Sequence, residues 1–528
     1  MVVSGSLTEG VEVRLDSGTS IEDVKVGAFV TIEGKRLRFF GVVTDVSLQS
    51  TDPTLRLSPP DVSNPYIAQV VSGTSAFGTI TVEPMLTLSG DPISILDGPQ
   101  PAKTVPPHFA QTSTASERDI QLIFGSEDER HFWIGNPLDM ETRLCLDLPN
   151  FVQRSNGVFG KSGTGKTFLT RLLLIGILQK GDAVNLVFDM ESEYGWKGYS
   201  ESNREVKGLK QLFSSRVAVF SLDEESSKNR GLTPDYLVRI GLEEIEPEDI
   251  QILKDTWDLS DVAADAAHSL QRHYGAKHWL REFLALPGGQ AVLKLAQELG
   301  VNNAALSTLK NRLSRLQRFQ FIDDGSGHDS VGQILRYLER GIHVVLEFGR
   351  YGRHLAAYML VANLLTRRIY DRYAQMTERA LGEQTQKPRP LVITIEEAHK
   401  FLDPSVAGQT IFGTIAREMR KYNVTLLIVD QRPSGIDPEV MSQIGTKITC
   451  LLDNDKDVDA VLTGVSGSRK LRSVLARLES KQQALVFGHA VPMPVVIRTR
   501  EYGTAESYRE LGFREATQIK AQMDRDIE

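Results

Sequence analysis

Apolar and polar positions alternate along four short N-terminal segments, Val11-Glu12-Val13-Arg14-Leu15, Ala28-Phe29-Val30-Thr31-Ile32, Arg38-Phe39-Phe40-Gly41-Val42-Val43 and Thr79-Ile80-Thr81-Val82. A period of two is the pattern of half-buried antiparallel strands, and the Gly, Asp, Ser and Pro residues between these segments supply the turns. The pattern predicts a small β-barrel over residues 1–95. Residues 96–114 contain Pro99, Pro101, Pro106 and Pro107, which suit neither a regular ladder nor a helix, so this stretch reads as a linker.

From residue 115 the pattern changes. Asn185-Leu186-Val187-Phe188, Ile342-His343-Val344-Val345-Leu346, Leu391-Val392-Ile393-Thr394-Ile395 and Thr425-Leu426-Leu427-Ile428-Val429 are apolar at consecutive positions. Such runs belong to strands covered by helices on both faces. A mostly parallel α/β sheet is expected, in two parts over 115–224 and 336–505. Between 225 and 335 the strand signal gives way to helical spacing, with Leu306, Leu309, Leu313 and Leu316 forming an apolar stripe, and this segment reads as a helical insertion. Residues 506–528 are charged enough to form a peripheral helix or arm.

Composition narrows the class without changing that outline. A chain of 528 residues with 41% hydrophobic content can bury a full core and carry smaller modules. Its 60 basic and 68 acidic side chains give a net charge of -8, so any nucleic-acid site is confined to a local basic surface. Cys145 and Cys450 are its only cysteines, too few for a disulfide framework. No apolar run approaches the ~18 residues of a membrane span, and the N-terminus lacks a basic segment followed by an apolar one. These features give the expectation of a cytoplasmic protein with no membrane partner.

The first chemical signal is Gly160-Lys161-Ser162-Gly163-Thr164-Gly165-Lys166-Thr167, which satisfies G-x-x-x-x-G-K-[ST] after the strand end Gly157-Val158-Phe159 and before a helical run from Phe168. Glycines let the backbone curl so that several N–H groups face one point, and the helix N-terminus adds positive potential there. Gly160, Ser162, Gly163, Thr164, Gly165, Lys166, Thr167 and Phe168 are the candidate ATP-binding residues. Lys166 reaches the outer phosphates, and Thr167 offers a hydroxyl to Mg²⁺.

The second signal is the apolar strand Leu391–Ile395, ending in Glu396-Glu397. Adjacent carboxylates there occupy the carboxyl edge of the sheet, where α/β folds bind ligands. Glu396 is the candidate Mg²⁺ ligand, directly or through water, and Glu397 the candidate general base. Gln431, in Asp430-Gln431-Arg432-Pro433 after the next buried strand, is placed to sense the γ-phosphate or position the water, the alternative being a plain strand-to-loop turn. Asp189 and Glu193 follow the strand Leu186–Phe188 on the same edge; Asp189 is a further candidate for Mg²⁺, and a purely structural loop is the alternative.

Cations supply the remaining candidates. Ala416-Arg417-Glu418-Met419-Arg420-Lys421-Tyr422 clusters arginines on a short helix, and in ring ATPases an arginine stabilises the transition-state charge at a neighbouring subunit's γ-phosphate. Arg420 is the first choice and Arg417 the second, against a solvated helix face. Arg312 and Arg315, with Arg318, in the insertion, and Arg350 and Arg353 in Gly349-Arg350-Tyr351-Gly352-Arg353, are candidates for DNA-phosphate contacts. His343 and His399 have no second ligand at suitable spacing and read as structural.

The P-loop, Glu396-Glu397-Ala398-His399, the Ala416–Tyr422 helix and Asp430-Gln431-Arg432-Pro433-Ser434, in that order, resemble the HerA-type translocases of the HerA and FtsK group of P-loop ATPases. The likeness extends through Ile436-Asp437-Pro438 and Leu452–Asp457 to Ala484–Gly488, and N-terminally through Val26–Val30 and Phe40–Asp45. It implies a RecA-like ATPase core behind a HAS-type barrel, and a homohexamer with ATP between subunits. It also implies double-stranded DNA in the central pore, with a partner nuclease similar to NurA or another effector, in DNA end processing or phage defence. Two departures stand out. Phe188–Tyr194 differs from the family's usual Asp-Pro-His-Gly-Glu-Tyr, and Asp430 stands where the family commonly has Thr before Gln-Arg-Pro. A secretion or conjugation ATPase, or a nucleotide-gated scaffold for a nuclease, are the competing expectations.

Overall fold

The computed structural model describes residues 1–16, 18–51, 54–90, 98–199, 204–323, 328–418, 421–465 and 468–513. They form two compact units. One comprises Met1–Phe151, Gly157–Leu169 and Gly445–Arg500; the other comprises Val152–Asn156, Thr170–Ile444 and the chain from Glu501.

In the first unit the alternating N-terminal segments form antiparallel strands β1 (Val2–Ser6), β2 (Gly10–Arg14), β3 (Phe29–Glu33), β4 (Leu37–Ser50), β5 (Ala76–Ser89), β6 (Gln100–Pro101) and β7 (Gln111–Thr114). Their order is β1-β2-β5-β4-β3-β7, with β6 beside β5. Val2 N donates to Ala110 O, and Phe109 N to Val2 O, each at 2.9 Å, which ties the first strand to the chain entering the last. Val11, Val13, Val30, Ile32, Phe39, Val43, Ile80 and Val82 fill the interior. Side chains alternate between faces, and on the other face Phe29, Phe40 and Val42 are buried too, with Phe29 against Phe40 and Phe124.

The stretch read as a linker is thus part of this sheet. Thr112 and Thr114 stand in register with Ile32 and Val30, and Ala110 packs into the core. Gln111-Thr112-Ser113-Thr114 carries no apolar alternation, because it is held by backbone pairing to β3, which hydropathy does not reveal. Pro101 is tolerated on the edge strand β6, where no ladder N–H is required of it.

The same unit contains an antiparallel arrangement of Thr446–Thr449, Gln483–Gly488, Val495–Thr499, His131–Pro137 and Leu144–Asp147, in that spatial order, with the P-loop strand beside Thr446–Thr449. Polar contacts join the barrel to helices Ser468–Leu475 and Glu117–Phe124 of the same unit. Lys470 pairs with Glu83, Ser473 Oγ donates to Thr44 O at 2.9 Å, and Arg38 pairs with Asp119, the residue that completes the capping box of helix Glu117–Phe124.

The second unit contains six parallel strands in the order Tyr236–Leu237, Val217–Ser221, His343–Glu347, Val184–Asp189, Leu391–Glu396, Val424–Asp430. The four central strands are apolar on both faces, as the uninterrupted runs require. Between Val217–Ser221 and His343–Glu347 the chain is mainly helical: Pro247–Ile252, Asp261–Tyr274, Trp279–Ala285, Gln290–Leu299 and Asn303–Leu313. Leu306, Leu309, Leu313 and Leu316 are fully buried there, with Leu270, Trp279 and Phe283. Of the charged C-terminal segment, Ala505–Glu510 is a short helix, Tyr508 accepts from Lys207 N at 2.8 Å, and residues 514–528 lie outside the described residues. No described helix is long and apolar enough to cross a membrane.

Candidate functional site

In the first unit the P-loop turns sharply out of its strand and enters helix Lys166–Lys180. Gly163 and Gly165 hold φ of 79° and 94°, a left-handed conformation that glycine adopts without steric cost. A Cβ on Gly160 would come within 2.8 Å of Cys450 Cβ, so glycine is needed there for close packing. Lys166 Nζ and Thr164 Oγ1 each donate to Lys161 O at 2.8 Å, folding both side chains over the loop. Lys161 Nζ in turn lies 3.0 Å from both carboxylate oxygens of Asp453, and Lys161 N donates to Leu451 O at 3.0 Å. The 451–453 segment therefore braces the loop, a contact that nothing in the local sequence of either segment announces.

In the second unit the carboxyl edge of the parallel sheet carries a row of acids. Asp189 is in register with Glu347, and Glu396 with Val429, which puts Asp430 one step further along. Burial pushes the Asp189 carboxyl up to about 6, Glu347 to about 7 and Glu396 to about 8, the last helped by the nearby Asp189 charge. Arg230 pairs with Glu347.

Asp189 spends both oxygens on the loop that follows it. Oδ1 accepts from Glu193 N at 2.7 Å, and Oδ2 from Tyr194 N at 2.8 Å and Gly195 N at 3.1 Å. Three backbone donors on its two oxygens favour the loop-anchoring alternative for Asp189 over a role as metal ligand. The loop's product is Tyr194, which is fully buried.

Glu396 is held from two sides. Tyr194 Oη donates to its Oε1 at 2.8 Å, while Tyr358 Oη accepts from its backbone N at 3.2 Å and donates to its backbone O at 3.0 Å. Its Oε2 is buried with no hydrogen-bond partner among the described residues. A buried carboxylate oxygen with an open lone pair, on an acid that burial disfavours as an anion, fits a divalent cation, whose charge would restore ionisation.

Glu397 has φ 48°, a left-handed conformation that costs a non-glycine residue of order 1 kcal/mol. Its Oε1 accepts from Gln431 Nε2 at 3.0 Å, so the structure brings these two predicted residues together. His399 Nδ1 lies 3.0 Å from Asp430 Oδ2 and 3.5 Å from Glu397 Oε2. Glu397 is two residues away in the chain, but the partner that fixes the ring, Asp430, comes from a strand 31 residues away and is not legible in the spacing around His399. His343 is structural, its Nδ1 accepting from Asn185 N at 3.0 Å.

The arginines fare differently from one another. Arg420 lies outside the described residues. Arg417 is engaged within its own chain, with Glu439 at 3.4 Å, Asp437 at 3.9 Å and Ala407 O at 3.4 Å, the paired helix face and not a projecting finger. Arg350 is bound by buried Asp223 at 3.0 Å, Glu225 at 3.2 Å and Gln320 at 2.9 Å; its charge is compensated, which counts against a phosphate contact. Arg312 faces Asp258 at 3.7 Å. Arg353 is exposed and Arg315 half-buried.

Residues 132–369 match the family model described as "Helicase HerA, central domain", and residues 1–91 match the HAS barrel domain. The DNA double-strand break repair helicase HerA of Pyrococcus furiosus is 21% identical over 435 residues, spanning 73% of this chain and 71% of its own length. The protein of that name from Sulfolobus acidocaldarius is 24% identical over 392 residues, spanning 74% of this chain and 72% of its own. Among solved structures, the bacterial conjugative coupling protein TrwBdeltaN70 aligns with 76% of this chain and 95% of its own, at 12% identity and a TM-score of 0.48.

Proposed function

The chain belongs to the HerA-type P-loop ATPases with an N-terminal HAS barrel, and from that premise we propose that it is a motor that couples ATP hydrolysis to the movement of double-stranded DNA. The observation that carries the reading is the Glu397–Gln431 hydrogen bond beside half-buried Glu396, whose Oε2 has no partner among the described residues, a pairing suited to activating water next to a metal-bound phosphate. The relatives' names favour a helicase over a secretion ATPase or a scaffold.

In this mechanism the backbone N–H groups of Gly160–Thr167 and the Lys166 ammonium receive the phosphates, Lys166 exchanging its bond to Lys161 O for phosphate oxygens. Thr167 and Glu396 would hold Mg²⁺, which neutralises charge on the β- and γ-phosphates when bound. Glu397 takes the proton of the attacking water while Gln431 fixes that water's direction. A homohexamer around the DNA, an arginine supplied in trans by Arg420, and a partner nuclease in end processing or phage defence complete the proposal. Arg353 and Arg315 are the DNA-facing candidates left once Arg350 and Arg312 are assigned to ion pairs.

The test is steady-state ATPase rate against linear duplex DNA at low and moderate salt, with Glu397→Gln as control. Stimulation that weakens with salt and disappears in the variant supports a motor gripping phosphates. A rate indifferent to DNA, with the variant inactive, keeps the ATPase and removes DNA as its track.

A further inference from the structure

Glu397 sits in a crowded electrostatic position. Glu396 precedes it in the chain, Asp430 reaches the same edge from the neighbouring strand, and its own backbone is in the left-handed region. Where its carboxylate points is therefore set by the side chains that touch it. Gln431 engages only Oε1. Among the described residues, His399 is the one basic side chain within ion-pair distance of the other oxygen.

The His399 ring is itself immobilised. Asp430 is fully buried and its oxygens accept from three groups: His399 N at 2.7 Å, Arg432 N at 2.6 Å and the imidazole Nδ1 at 3.0 Å. A carboxylate only accepts, so Nδ1 carries the proton. The same Nδ1 lies 3.5 Å from Glu397 Oε2, and the ligand atoms of Glu397, His399 and Asp430 all lie within 4.8 Å of one another. Asp430, with its three N–H donors, holds the ring in place beside Glu397.

We propose that His399, locked by Asp430, is the positioning residue that sets the Glu397 carboxylate against Gln431 for attack on the γ-phosphate. His399 ties the strand ending in Glu396 to the strand ending in Asp430, so the residues on both move together. The inference rests on the ATPase reading and names a residue that acts through Glu397 without touching substrate.

The full chain is assayed for kcat, KM for ATP, binding of a fluorescent ATP analogue and Tm, as wild type, His399→Ala, His399→Asn, Asp430→Asn and Glu397→Gln. His399→Ala is expected to lower kcat ~10–100-fold while KM and analogue binding stay within about twofold. His399→Asn, whose amide N–H can occupy the Nδ1 position, restores most of that loss, and Asp430→Asn, which cannot accept all three donors, behaves like His399→Ala. A purely structural role would shift binding and Tm with kcat, and would show no rescue. The proposal is overturned if His399→Ala turns over at the wild-type rate, or if His399→Asn is no better than His399→Ala. Should His399→Ala not fold, an active Asp430→Asn or an inactive His399→Asn overturns it equally. An inactive wild type, or an active Glu397→Gln, instead defeats the ATPase assignment.

Discussion

The Tyr194 hydroxyl donates a 2.8 Å hydrogen bond to Glu396 Oε1 across 202 residues of chain. It is the only hydrogen bond that the Glu396 carboxylate makes among the described residues, since Oε2 has none. Tyr194→Phe removes this donor and leaves a buried carboxyl without a hydrogen bond, at a stability cost of ~1–3 kcal/mol. The stronger effect is expected on metal use. The Mg²⁺ concentration for half-maximal ATPase should rise ~10-fold or more, as when the support of a metal ligand is lost; an unchanged Mg²⁺ titration would detach Tyr194 from the metal.

The P-loop and the acids separate binding from chemistry. Lys166→Ala should abolish ATP binding, read by titration with a fluorescent analogue. Glu397→Gln keeps the shape and the contact to Gln431 and should bind ATP normally with turnover below detection. Equal affinity in Lys166→Ala and wild type, or residual turnover near wild type in Glu397→Gln, would refute the respective assignment.

The brace between Lys161 and Asp453 predicts a selective defect. The pair is substantially exposed, so Asp453→Ala should change global stability by less than ~1 kcal/mol. Freed of Asp453, Lys161 no longer fixes the carbonyl that receives Lys166 and Thr164, and nucleotide affinity should fall several-fold. Calorimetry and analogue titration on one preparation separate the two.

His343 gives a pH signature remote from the acidic edge. Burial, with Arg216 and Arg389 adding to it, lowers its pKa to about 3, against ~6.5 in the unfolded chain. On acidification the unfolded state takes up the proton first, so this contribution is fully present above pH ~6.5 and lost as pH falls toward ~3, at up to ~1.4 kcal/mol per pH unit. Denaturant melts of wild type and His343→Asn at several pH values should show the gap between them narrowing below pH ~6.5. Parallel curves would contradict a buried neutral imidazole.

Much of this protein is determined by the sequence alone, because the information is local. The P-loop follows from glycines at positions needing left-handed backbone, the strand Leu391–Glu396 from an apolar run ending in two acids, and the buried stripe Leu306–Leu316 from helical spacing. Tertiary structure decided what depends on distant partners. Strand β7 has no hydropathic mark because β3 supplies its pairing, and Asp189 became a loop anchor because the chain turns back over it. Arg350 lost its phosphate-binding expectation to Asp223, 127 residues away, and His399 gained Asp430 only when two parallel strands came into register. A residue's type fixes which hydrogen bonds and charges it can offer; which of them are used depends on what folding places within about 3 Å, and periodicity along the chain carries no record of that.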